Sequence, residues 1–114
     1  QQQFPESAER FIDDSIRETL PCISAITEIE LLCWKANSER DIEVMKSFIK
    51  DTVVIELENE IKLKAAELRK RYKIKLPDAI IAATAIVYDL TLITRNISDI
   101  KMIQELSFVN PWER

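Results

Sequence analysis

Apolar and polar positions along the chain change period several times, and each change marks an element. In "ESAERFIDDSIRETL" the residues Ala8, Phe11, Ile12, Ile16 and Leu20 recur at helical spacing, and Pro5 suits a first helical turn. A helix is predicted there. "PCISAI" then reads as a short buried strand and "TEIELLCWKA" as a helix. A second helix, "SERDIEVMKSFIKD", opens on Ser38 and is striped by Ile42, Met45 and Ile49. "VVIEL" is β-branched and short, as a strand should be. A long helix from Glu58 to Tyr72 turns Ile61, Ala65, Leu68 and Tyr72 inward, and an almost wholly apolar helix follows from Pro77 to Tyr88. "LTLIT" as a strand, "SDIKMIQEL" as a helix and "SFVN" as a last strand complete the reading.

Strands alternate with helices, and the strands are apolar throughout instead of alternating. Both faces of the sheet are then covered, and the sheet is mostly parallel. The expected fold is an α/β three-layer sandwich with helices on both faces of a mostly parallel central sheet. Residues 1–114 form one domain, because the length supports one core and not two. Such a layout usually starts on a strand that the first helix crosses over from, whereas this chain starts on a predicted helix. The domain is therefore expected to be N-terminally incomplete.

Composition narrows the chemistry. Apolar residues make up 46% and charged residues 32%, the balance of a globular chain. No apolar run approaches the roughly 18 residues of a membrane span, and "QQQFPESAER" has no signal-peptide pattern, so a cytoplasmic location with no membrane partner is expected. Cys22 and Cys33 belong to no CxxC pair and read as buried thiols behaving as small hydrophobes. Histidine and glycine are both absent. That removes the commonest general base, the usual zinc ligand and any Gly-rich phosphate loop.

Charge is unevenly spread. From Lys62 to Lys75, "KLKAAELRKRYKIK" carries Lys62, Lys64, Arg69, Lys70, Arg71, Lys73 and Lys75 against Glu67 alone, a local +6 in a chain of net −4. Such a run is either a solvated helix face or a track for phosphates, which position a nucleic acid without reading its sequence. Arg95 is a second phosphate candidate, or the partner of an edge carboxylate.

Three acids occupy one kind of position. Glu30 lies three residues after Thr27, Asp78 opens the apolar helix, and Asp99 lies three residues after Asn96. Each is expected in a first helical turn. Taken singly they are caps: Thr27-x-x-Glu30 is a capping box, Asn96-x-x-Asp99 a near relative, and Asp78 an N-cap or first-turn anion. Taken together they fall where helices begin beside the carboxyl ends of parallel strands, the edge at which open α/β sheets bind ligands. Acids gathered there repel unless a cation neutralises them. Oxygen ligands alone favour Mg²⁺ or Mn²⁺. A phospho-acceptor domain also clusters acids at a sheet edge, but it wants an Asp ending a strand in mid-chain, and "VVIELENE" offers Glu. Trp34 and Trp112 read as packing residues, since a single-strand binder needs several exposed aromatics near its basic face.

"ISAITEIELL", "LPDAIIAATA" and "LITRNISDI" followed by "FVNPWE" resemble, in order and across essentially the whole chain, the successive motifs of PIN-domain ribonucleases, in particular the VapC-like toxins of prokaryotic toxin-antitoxin pairs. The resemblance implies a Mg²⁺- or Mn²⁺-dependent endoribonuclease that is usually dimeric and inhibited by a small antitoxin. By motif match it makes Glu30, Asp78 and Asp99 catalytic, metal-site acids and Thr27, Thr94 and Asn96 their orienting neighbours. RNA would lie on Arg69, Lys70, Arg71, Lys73, Lys75 and Arg95. Members of the family open with a central strand ending in Asp-Thr-Asn or similar, and no such segment precedes "QQQFPESAERF". The chain is then a fragment, or another polypeptide fills the gap, or neighbouring strands rearrange. A non-catalytic PIN-like module that binds protein or RNA is the alternative reading.

Overall fold

The computed structural model describes residues 11–13, 21–35, 37–94 and 96–110. Its elements follow in the order β1 (Phe11–Asp13), β2 (Cys22–Ser24), α1 (Ala25–Leu32), α2 (Glu39–Lys50), β3 (Val53–Ile55), α3 (Asn59–Arg71), α4 (Leu76–Val87), β4 (Thr91–Ile93), a 3₁₀ turn (Ile97–Asp99) and β5 (Ser107–Val109). The strands form one sheet in the order β3-β2-β1-β4-β5. β2 pairs parallel with β3, and β4 parallel with β5, while β1 runs antiparallel to both β2 and β4. Four strands therefore point one way and the middle one points back. Among the described residues no helix is long and apolar enough to cross a membrane.

The middle strand corrects the sequence reading. Phe11–Asp13 falls inside the predicted first helix, yet it fills the slot between β2 and β4. Two facing strands with nothing between them would leave a double row of backbone donors and acceptors unpaired, and pairing them outweighs a helical periodicity confined to one segment. At these three residues the sheet centre is filled by a segment of this chain whose periodicity reads as helix. The rest of that predicted helix lies outside the described residues.

Alternate strand residues face opposite layers. Cys22, Ile55 and Leu92 join a core beneath α3 and α4, whereas Ile23 joins Leu31 and Met45 in a second, smaller core with Trp34, Phe48, Ile49 and Val54 packed against it. Helices thus cover both faces, as expected, and Trp34 is a packing residue. Cys22 is buried as expected, but Cys33 is exposed, because α1 ends there and its C-cap faces out of the core. Ala79, Ala82, Ala83 and Ala85 are fully buried on α4, and such small side chains let neighbouring elements approach closely. Both outer strands, β3 and β5, carry exposed positions, so among β2 to β5 the uniform burial expected of the strands holds for β2 alone.

A second correction concerns "SDIKMIQEL". No α-helix forms there; a chain of tight turns does, with hydrogen bonds from Ile100 N to Ile97 O, Ile103 N to Ile100 O, and Leu106 N to Ile103 O. Ile100, Ile103 and Leu106 are all buried. Their spacing is three, which matches the 3₁₀ period and not 3.6.

α4 and β4 are joined by a Schellman turn. Leu90 N donates to Ala85 O at 2.8 Å and Asp89 N to Ile86 O at 3.1 Å, with Asp89 at φ 56°. Glycine is the usual choice there, and aspartate is among the few other residues that tolerate the left-handed region. At the far end of the α3–α4 pair, Tyr88 Oη donates to Glu58 Oε1 at 2.6 Å.

One face of α3 is electrostatically closed. Lys64 Nζ lies 3.0 Å from Glu67 and 3.5 Å from Glu105, and Arg71 Nη1 lies 3.4 Å from each of the same acids. The Lys64 hydrogen bond holds the Glu67 carboxyl below its ordinary 4.5, and the same bond lifts Lys64 above 10.5. A lowered carboxylate contributes stability above its ordinary value and loses it as pH falls through the lower folded value. A raised lysine contributes below its ordinary value and loses it as pH rises through the folded one. Glu67→Gln should accordingly lower the melting temperature slightly at neutral pH, and the difference from the parent should shrink at acid pH, as pH falls through the lowered folded value. Thermal unfolding at neutral and at acid pH checks this.

Candidate functional site

Because β2 and β4 are both antiparallel to β1, their carboxyl ends share one edge of the sheet. Cys22 and Leu92 both pair with Ile12, so Ser24 and Thr94 stand level, two strand spacings or about 10 Å apart. Asp13 pairs with Thr91 and so sits toward the other edge.

On the β2 side the chain passes from strand to helix without a loop. Ser24 is the N-cap of α1: its Oγ accepts from Thr27 N at 3.1 Å and donates to Thr27 Oγ1 at 3.1 Å. This replaces the expected Thr27–Glu30 capping box. The strand ends at Ser24, so the helix starts earlier than "TEIELL" suggests, Thr27 becomes its third residue, and Glu30 lies in its second turn. Glu28 takes the first turn. Ser24 and Thr27 are both fully buried, and Glu30 is half-buried with Oε1 shielded from solvent. Sequence reasoning missed Ser24, although a serine directly after two strand residues and before an apolar helical run is the signal of a cap.

On α4 the N-cap is Lys75, whose side chain makes no capping bond, and Pro77 occupies the first turn. Asp78 is the third helical residue and only 5% exposed. It is a first-turn anion, favoured by the macrodipole, and not the N-cap. α4 returns toward β4 through the tight turn at Asp89, so its first turn lies toward the edge where β4 ends.

Past β4, Thr94 N donates to Val109 O at 3.1 Å, holding the strand end against β5. Thr94 is buried, and its Oγ1 accepts from Asn96 N at 3.0 Å. Asn96 Nδ2 donates to Asp99 Oδ2 at 2.7 Å, and Asn96 Oδ1 accepts from Ser98 Oγ at 3.2 Å. The predicted Asn96–Asp99 relationship is real, but it joins two side chains and caps no backbone. A carboxylate held by a short amide bond keeps a defined orientation.

The edge thus brings together Ser24 with Thr27, and Thr94 with Asn96 and Asp99. Among the described residues no group of three or more His, Cys, Asp or Glu side chains is close enough to hold one metal ion. The donors available are all oxygens, which fits a hard divalent cation and not zinc.

The basic segment divides in two. Arg71 is occupied with Glu67 and Glu105, with its guanidinium carbon 5.2 Å from the Tyr72 ring centroid. Arg69, Lys70, Lys73 and Lys75 are exposed. Arg95 and Trp112 lie outside the described residues.

The PIN domain family model matches residues 1–102. Among solved structures, the chain is similar to one in a toxin-antitoxin complex from Klebsiella pneumoniae, with 34% identity, a TM-score of 0.68, and coverage of 82% of this chain and 75% of that one. It is also similar to a chain of VapBC2 from Rickettsia felis bound to a DNA fragment from its promoter, with 27% identity, a TM-score of 0.70, and coverage of 78% and 73%. A chain of DNA-bound VapBC from Salmonella typhimurium shares the fold at 23% identity and a TM-score of 0.71, covering 77% and 73%. No curated protein matches.

Proposed function

Since the chain belongs to the PIN domain family, we propose that it is the toxin component of a toxin-antitoxin pair, a metal-dependent endoribonuclease that acts in the cytoplasm on RNA and is held in check by an antitoxin protein. The observation that carries this reading is a carboxylate, Asp78, kept 5% exposed in the first turn of a helix whose other buried residues are apolar or Thr84. An acid set inside the ligand-binding edge of an α/β sheet stands where a bound cation would meet it, and a cap on the surface would serve the helix as well.

In this reading Asp78, Asp99 and Glu30 would hold Mg²⁺ or Mn²⁺, although among the described residues they do not form a three-acid cluster. Such an ion, when bound, lowers the pKa of water and stabilises the charge on a phosphodiester. Asn96 fixes the Asp99 carboxylate through the 2.7 Å amide bond, and Thr94 fixes Asn96. Ser24 and Thr27 lock the start of α1, and with it the turn that carries Glu30. Lys73 and Lys75, exposed on the segment leading into Asp78, supply cations to the RNA backbone, together with Arg95. A homodimer is part of the proposal, supported by family membership.

The absence of a three-acid cluster among the described side chains favours a second reading, a PIN-like module that binds without cleaving. A labelled RNA oligonucleotide incubated with the protein in Mn²⁺, in Mg²⁺ and in excess EDTA separates the two. Cleavage that requires the ion is expected. Intact RNA in all three, with no heat of Mn²⁺ binding by calorimetry, rules out the nuclease reading.

A further inference from the structure

The two sides of α3 treat their cations differently. Lys64 and Arg71 share one side with Glu67 and are neutralised by Glu67 and Glu105. Lys62 and Arg69 lie on the opposite side, at about 100° per residue, with Lys70 on the flank, and the three form no salt bridge among the described residues. They stand over an open groove of about 520 Å³ between α3 and α4. The remaining lining is aliphatic: Leu57, Ala65, Ala66, Leu76 and Ile80. Leu57 is 40% and Leu76 51% exposed, so the chain leaves large apolar side chains in water there.

From this combination we propose that the α3–α4 groove is a docking site for an acidic amphipathic helix of a partner protein. The floor removes apolar surface from water, and the three cations find carboxylates on the partner's flanks, as no acid lines the groove. Size agrees with the assignment. From Lys62 to Lys70 is about 12 Å of helix, which matches two turns of a partner presenting apolar residues at i, i+3 or i+4, and i+7. Ala65 and Ala66, side by side between Lys62 and Arg69, let a partner backbone come close.

RNA fits this groove less well. Nucleobases bind single-strand sites by stacking on aromatic rings, and no aromatic residue lines this one. The groove reaches the start of α4 through Leu76 and Ile80, but Asp78 is not among its lining residues, and peptide binding is read independently of RNA cleavage.

The probe is a fluorescein-labelled 14-residue peptide of glutamates with leucines at every third or fourth position, tested on the full chain by anisotropy. A peptide of the same composition with the leucines scrambled, and a 12-nucleotide RNA, serve as comparisons. The striped peptide should bind at least tenfold tighter than the scrambled one, and the affinity should fall at least tenfold in Arg69→Glu/Lys70→Glu and severalfold in Leu76→Ser. Both variants lie at exposed positions, and circular dichroism should show an unchanged fold. Equal binding of the two peptides, or none, overturns the proposal. So does RNA that competes for the groove and is lost in the charge-reversal variant. A sedimentation mass that halves in that variant would also overturn it, because a second copy would then be the occupant.

Discussion

Exchanging Asp78 for asparagine should reduce RNA cleavage by at least about 100-fold, since even groups that only orient a metal ligand typically change affinity or activity 10- to 100-fold. The two side chains are nearly isosteric, so the exchange opens no cavity in a site that is 5% exposed. What it removes is a full negative charge. The first turn of α4 loses an anion that its dipole favours, a change of about 0.3–1 kcal/mol, too small to unfold the chain. Cleavage and Mn²⁺ binding should therefore collapse together while the circular dichroism spectrum and the melting temperature hold. Activity within twofold of the parent would remove Asp78 from the site and leave it a helix-start residue.

Truncating Leu92 to alanine should have the largest effect on stability, about 2–5 kcal/mol. Leu92 is fully buried in β4, level with Ile12 on one side and Phe108 on the other, and it belongs to the core beneath α3 and α4. Domains of this size are stable by about 5–15 kcal/mol, so the upper end of that loss would leave a large unfolded fraction. Leu63→Ala provides the contrast, because Leu63 is 65% exposed on α3 and its truncation should stay within about 0.5 kcal/mol. Urea unfolding of the two variants measures both. Similar midpoints would mean that the sheet is not packed as described.

Elements whose outcome is decided locally were legible in the sequence. The apolar helix expected over 77–88 is observed as Leu76–Val87, and the basic helix expected over 58–72 as Asn59–Arg71. "LTLIT" and "SFVN" both contain their strands. Elements decided by distant partners were not. Phe11–Asp13 looks helical until two strands on either side offer it hydrogen bonds. Arg71 looks like a phosphate ligand until Glu105, 34 residues away, takes its guanidinium. The segment from Ile97 to Leu106 failed for another reason: a repeat of three and a repeat of 3.6 are hard to separate over ten residues. At the acidic edge the Thr94, Asn96 and Asp99 group was readable because it spans six residues, whereas the displacement of Glu30 to a second turn depended on where β2 stopped.

The turn at Asp89 has a bearing on how the edge assembles. Asp78 opens one arm of a fold-back, an α-helix and a strand joined by only three residues from Tyr88 to Leu90, and Asp99 lies in the 3₁₀ turn just past the other arm, so closing that short stretch of chain incurs little entropy. Their separation is a property of neighbouring sequence. Glu30 reaches the edge by a different route, across β1 from the far half of the sheet. A disturbance of the central strand would therefore shift Glu30 relative to Asp78 and Asp99 more than it shifts those two relative to each other.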